Sequence, residues 1–147
     1  MQSVLVIGYG NSLRGDDGIG IATAEQLRHT MQSSSVRILT CQQLTPELAN
    51  EMSKVERVIM IDAAKGETPG QIIISKITPD SVDSATFTHE LQPSTLLACS
   101  QELYGQCPTT YLVSVTGYSF DFSEELSDTV TRIMPQVLTS VRELIDQ

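Results

Sequence analysis

Two adjacent carboxylates, Asp16 and Asp17, close a glycine-rich stretch that runs from Gly8 to Gly20 as GYGNSLRGDDGIG. A carboxylate pair at a helix start draws a cation. It repels the pyrophosphate that a glycine-rich loop ahead of a helix otherwise cradles. The dinucleotide fingerprint fails on two further counts: its third glycine position holds Leu13, and Leu39-Thr40-Cys41-Gln42 offers no acid at the end of the second strand. Asp is also a favoured N-cap residue, so the pair alone reads as a helix cap before it reads as a ligand set. Two other residues shift that balance. Asp62 directly follows the apolar Ile59-Met60-Ile61, and His89 stands in Phe87-Thr88-His89-Glu90 just ahead of a helix. A carboxylate ending a buried strand is costly unless paired, although Asp62 also suits a turn before Ala63-Ala64-Lys65-Gly66. A lone histidine is more often structural than a ligand; His29, late in the first helix, is better explained as a solvated residue favoured by the helix dipole. Together Asp17, Asp62 and His89 make a mixed oxygen and nitrogen set suited to nickel or zinc, with coordination positions left open for water or a substrate group.

The elements that must position these residues follow from pattern. Ser3–Gly8 (SVLVIG) is β-branched and apolar, as a strand buried on both faces reads. Asp16 to Met31 carries apolar residues at helical spacing, and Val36–Leu39 reads as a second strand. A short helix over Pro46 to Met52 has Thr45 as N-cap. Val58–Ile61 is a third buried strand ended by Asp62. Lys65 to Gly70 is a turn, Gln71–Ile77 an antiparallel edge strand, and Pro79 to Thr88 a loop. Pro93 to Tyr104 is a helix and Tyr111–Thr116 the last strand. Ser123 is placed to cap a long C-terminal helix that Pro135 should kink. The order β-α-β-α-β-β-α-β-α predicts a single α/β domain over residues 1–147. It would be a three-layer sandwich, with a mostly parallel twisted sheet of about five strands and helices on both faces. If the strand order begins 2-1-3, the first and third strands are neighbours, and Asp17 and Asp62 meet at the crevice where strand order reverses.

Composition bounds the function. The net charge of −9 argues against nucleic acid and against an anionic membrane surface. It is compatible with a cation ligand or a basic partner. The three cysteines, Cys41, Cys99 and Cys107, are odd in number and lack CxxC spacing, so neither a disulfide framework nor a thiolate zinc site is expected. Free thiols, and an N-terminal apolar run over Val4–Ile7 too short for a signal segment, lead to the expectation of a cytoplasmic protein. No stretch reaches membrane-span length.

The sequence resembles the hydrogenase maturation endopeptidases. Their opening is a strand, a Gly-x-Gly-Asn stretch, a paired acidic step and Gly-x-Gly, matched here by Val6 to Gly20. Their second acidic ligand ends the third strand before Ala, matched by Ile61-Asp62-Ala63, and their histidine precedes a helix, matched by His89-Glu90-Leu91. The likeness covers nearly the whole chain in element order and length. It implies a twisted sheet flanked by helices, with Asp17, Asp62 and His89 as metal-contacting and catalytic residues. It also implies a partner, a hydrogenase large-subunit precursor, whose C-terminal extension is removed once nickel is loaded. The nickel is then supplied by the precursor rather than permanently bound. One segment departs from many relatives: Cys41-Gln42-Gln43-Leu44-Thr45-Pro46-Glu47 replaces an Asp-Gly-Gly-Thr-like stretch. In this it is more similar to relatives that serve bidirectional, NAD(P)-linked hydrogenases.

Familiar peptidase chemistry is missing. There is no Gly-x-Ser-x-Gly, no HExxH, and no evident His partner for any cysteine. What remains is a metal shared with the substrate, orienting the scissile segment or polarising its carbonyl, with Asp16 a candidate base. Two rivals stay open at this point. One is a non-catalytic nickel-binding assembly factor for the large subunit; the other is a small-molecule module built on the glycine-rich loop.

Overall fold

The structure, a computed structural model, describes residues 3–80 and 91–147. The strands are β1 (Val4–Tyr9), β2 (Val36–Cys41), β3 (Arg57–Ala64), β4 (Ile72–Ile77) and β5 (Thr109–Thr116). The helices are α1 (Ile19–Thr30), α2 (Leu48–Ser53), α3 (Pro93–Tyr104) and α4 (Asp128–Ile145). All five strands form one sheet in the order β2-β1-β3-β5-β4. The pairs β1–β2, β1–β3 and β3–β5 are parallel, and β4 lies antiparallel on the edge beside β5. This is the predicted α/β fold and element order.

The period-2 alternation of side chains divides the core. Val4, Val6, Ile59, Ile61, Val113 and Val115 point to a layer filled by Ile19 and Leu27 of α1 and by Val130 to Leu144 of α4. Leu5, Ile7, Val58, Met60 and Leu112 point the other way, onto Leu48, Ala49 and Met52 of α2 and Leu96 and Leu97 of α3. The crossover from β1 through α1 to β2 leaves on one side of β1, and β3 returns on the other. The carboxyl ends of β1 and β3 are therefore adjacent with their connections diverging, which opens a crevice.

Several boundaries differ from the pattern-based reading. The helix expected from Asp16 begins as a 3-10 turn over Gly15–Gly18 and becomes α-helical at Ile19. β3 does not stop at Asp62 but runs on to Ala64, because its last residues pair with Ser114 to Thr116 of β5. α4 is capped not by Ser123 but by Ser127, whose side chain accepts from the Val130 N–H, and it runs unbroken through Pro135. The short helix starts at Leu48 rather than Pro46, and Thr45 supplies its carbonyl to the Leu48 N–H. Among the described residues, no helix is long and apolar enough to cross a membrane.

Candidate active site

The crevice at the carboxyl ends of β1 and β3 holds a cleft of about 250 Å³, lined by Tyr9, Gly10, Asn11, Asp17, Gln42, Gln43, Asp62 and Ala63. Two of the three residues singled out from sequence, Asp17 and Asp62, thus share one cleft. The third, His89, lies outside the described residues.

Each carboxylate is held by neighbours that the strand period puts in place. Leu5, Ile7 and Tyr9 share one face of β1; Val58, Met60 and Asp62 share that face of β3; Leu112 and Ser114 share it on β5. At the polar end of this face the Tyr9 hydroxyl donates to Asp62 Oδ2 at 2.8 Å, and the Ser114 hydroxyl donates to Asp62 Oδ1 at 2.6 Å. Charge-assisted bonds to both oxygens fix the carboxylate plane. Asp17 is fixed differently. Its Oδ2 accepts the Asn11 backbone N–H at 2.7 Å, and its Oδ1 accepts no hydrogen bond among the described residues. The acceptor left over is the kind of oxygen that takes a cation.

Backbone approach makes this geometry possible. A Cβ at Gly20 would stand 2.3 Å from the Ile61 carbonyl oxygen and 2.7 Å from that of Tyr9. Only glycine lets α1 lie against the ends of both β1 and β3. Gly10 has φ of 141°, a region side chains rarely adopt, and a Cβ there would meet the Asp17 carbonyl oxygen at 2.1 Å.

Asp16, adjacent to Asp17, has a different role. It is fully buried and points away from the cleft's lining residues. Its Oδ1 accepts the Ser127 N–H at 2.7 Å. Its Oδ2 accepts the Ser127 hydroxyl at 2.7 Å, the Tyr118 N–H at 2.8 Å and the Ser119 N–H at 3.1 Å. Burial pushes its pKa up, but the four bonds, those from Ser127 foremost, outweigh it and hold the carboxyl below its ordinary 3.8. Asp16 is fully buried, holds four donors and does not line the cleft, so the expectation that it serves as base is corrected: it is a tie between the acidic turn and the start of α4. The thiols are no better placed as nucleophiles. Burial pushes Cys41 up, and burial together with Glu102 pushes Cys99 up, which keeps both protonated; Cys107 is exposed and free.

No family model matches the sequence, and no curated protein matches it. Solved structures do. The hydrogenase maturating endopeptidase HybD of E. coli is 27% identical and superposes with a TM-score of 0.76 over 95% of this chain and 89% of its own. The hydrogenase 2 maturation peptidase of Thaumarchaeota archaeon SCGC_AB-539-E09 is 25% identical, with a TM-score of 0.74 over 99% of each chain. Over nearly its whole length the chain is similar to these hydrogenase maturation endopeptidases. The [NiFe] hydrogenase maturation protease HycI of Thermococcus kodakarensis KOD1, 24% identical, shares the fold with a TM-score of 0.79 over 99% of this chain and 94% of its own.

The cleft and the bonds behind it involve more than the sequence singled out. Tyr9 and Ser114 were not anticipated, although one step past the Gly8–Ile61 pair and the Asp62–Ser114 pair across to β5 reach both. Gln42 and Gln43 come from the segment that departs from many relatives, and they form the cleft wall opposite Asp62.

Proposed function

We propose that this protein is an endopeptidase that removes the C-terminal extension of a nickel-loaded hydrogenase large-subunit precursor. The observation that carries this reading is the convergence of Asp17 and Asp62 on one cleft, each with its carboxylate oriented by hydrogen bonds. Asp17 and Asp62, joined by His89 as the resemblance implies, would meet the nickel that the precursor brings. Such an ion supplies Lewis acidity toward a peptide carbonyl or a water. The protein's own contribution is orientation. Tyr9 and Ser114 hold the plane of one carboxylate, Asn11 holds the other, and Asp16 holds the turn that presents it. Among the described residues Cys41 and Cys99 are both held protonated, which fits a reaction in which water is the nucleophile.

The partner we infer is the large subunit of a bidirectional, NAD(P)-linked hydrogenase. The support is the Cys41 to Glu47 segment, two of whose residues, Gln42 and Gln43, line the cleft where a precursor would lie.

Intact-mass spectrometry of a large-subunit precursor after incubation with the protein tests the function. The expected result is loss of one C-terminal peptide from the nickel-loaded form and no change in a nickel-free control. Absence of cleavage across nickel-loaded precursors of several hydrogenases would refute the peptidase reading and favour a binding-only assembly role.

A further inference from the structure

A second cleft, of about 370 Å³, adjoins the first and is lined by Asn11, Arg14, Asp17, Ala63, Lys65 and Phe120. Asn11, Asp17 and Ala63 line both, so they form a ridge with the carboxylate-bearing cleft on one side and the new one on the other. The chemistry differs across that ridge. Beyond it stand two cations and an aromatic ring.

Cations are scarce in this chain, which has 9 Lys and Arg against 18 Asp and Glu. Most of those with a described role are engaged elsewhere. Arg28 pairs with Glu25, while Arg37 and Lys54 pair with Glu51. Arg57 is buried at the opposite end of the sheet, donating to the carbonyls of Leu144 and Gln147. Arg14 and Lys65 have no carboxylate within ion-pair distance among the described residues, yet both line this cleft. Both are anchored. The Lys65 ammonium sits 5.8 Å from the centroid of the Phe120 ring, a cation–π distance that steadies the side chain while leaving its N–H groups able to donate. Arg14 opens the 3-10 turn, its carbonyl accepting the Asp17 N–H at 3.2 Å, and its backbone bridges to Ser123. A guanidinium and an ammonium converging on one cleft match a carboxylate.

We propose that the Arg14–Lys65–Phe120 cleft is a subsite for a carboxylate carried by the polypeptide substrate, in the stretch adjoining the part that Asp17 contacts. This rests on the peptidase reading above. The carboxylate is an acidic side chain or the C-terminal carboxylate of the extension; both present the same two oxygens. Asp17 lines both clefts, and a cation bound on the side of the first would offset its charge toward a carboxylate in the second. The arrangement sets direction: a chain crossing the ridge with its anionic end over Arg14 and Lys65 can lie in one sense only.

Two measurements test it. The first is a titration of the nitrogen-15-labelled protein with three short synthetic peptides followed by NMR. One carries a glutamate and an amidated C-terminus, one has a free C-terminus and no acidic side chain, and one has neither. The expected result is that one or both anionic peptides shift the amide signals of Arg14, Lys65 and Phe120 while the neutral peptide does not. The pattern across the two anionic peptides identifies the carboxylate source. Equal response to all three peptides, or to none, overturns the proposal. The second is cleavage kinetics of the nickel-loaded precursor by an Arg14→Ala/Lys65→Ala double variant. KM is expected to rise roughly tenfold, the loss of two partly exposed ion pairs, with a smaller change in kcat and a weaker dependence on salt. An unchanged KM overturns the assignment to the substrate. If the wild-type protein cleaves no precursor, it is the peptidase reading that fails, and the titration still decides whether the cleft takes a carboxylate.

Discussion

Replacing Asp16 separates structure from chemistry at the acidic turn. Asp16→Ala removes one acceptor group from four donors: the N–H groups of Tyr118, Ser119 and Ser127, and the Ser127 hydroxyl. A hydrogen bond to a charged group contributes about 1.5–3 kcal/mol. Tyr118 is 66% exposed, so the amides near it can turn to water and recover part of the loss. The two bonds from Ser127, at the first turn of α4, cannot be replaced as easily. Counting those in full and the others in small part gives a loss of about 4 kcal/mol, in the range for breaking a buried charged network. In a chain of this size that lowers Tm by roughly 12 °C. Asp16→Asn is milder. Its carbonyl can keep the three donors on the Oδ2 side, but its amide then faces the Ser127 N–H, and a deficit of about 2 kcal/mol is expected. The pH dependence has a definite sign. The folded-state pKa is below the ordinary 3.8, so the unfolded chain binds the proton more readily. The stabilisation is fully present above the ordinary value and is lost as pH falls through the folded one. The Tm gap between wild type and Asp16→Asn should therefore be constant from pH 5 to 7 and shrink below pH 4. Thermal unfolding by circular dichroism measures this, with cleavage assayed at a temperature where both proteins are folded. Near-wild-type Tm for Asp16→Ala together with abolished cleavage would refute the structural role and restore Asp16 as a reacting group.

Other substitutions probe the cleft. Asp17→Asn preserves an acceptor for the Asn11 N–H, so stability should fall by no more than about 1 kcal/mol, while kcat/KM for the nickel-loaded precursor falls at least about a hundredfold. Asp62→Asn and His89→Ala should likewise impair cleavage far more than folding; equal thermal losses in all three would point to structural roles instead. Tyr9→Phe removes a single bond to Asp62 and should lower kcat/KM by roughly tenfold with a stability loss of about 1 kcal/mol, read by kinetics and denaturant unfolding. Gly20→Ala drives a methyl into the Ile61 and Tyr9 carbonyls at 2.3 and 2.7 Å and should destabilise by at least about 3 kcal/mol; wild-type Tm in that variant would contradict the helix position.

Much of the frame was legible because local signals coincided with tertiary need. α3 begins at Pro93 and ends before Gly105 in a left-handed cap, and both ends could be read from residue type. The meeting of Asp17 and Asp62 followed from connectivity once β1 and β3 were neighbours. What stayed hidden depended on partners far along the chain. β3 extends past Asp62 only because β5 is there to pair with it. Ser127 rather than Ser123 caps α4 because Asp16, 111 residues away, accepts from its backbone and its hydroxyl. Asp16 and Asp17 are chemically identical and adjacent; burial alone divides them, and burial is a property of the assembled layers. The carboxylate clamp of Tyr9 and Ser114 spans three strands, so no local window contains it.

The bonds from Asp16 to Ser127 have a bearing on motion. A single 3-10 turn following a loop is the sort of short element that usually opens on its own, at little free-energy cost. Here it is laced to the first turn of the longest described helix, whose inner face is packed into the sheet. Opening the turn means unlacing that helix start as well. The amide protons of Asn11, Asp16 and Asp17 should then exchange with solvent in step with the start of α4 rather than with the neighbouring loop. A turn that opens only together with the start of α4 keeps the Asp17 carboxylate in place before the substrate arrives, and spends none of the encounter on assembling it.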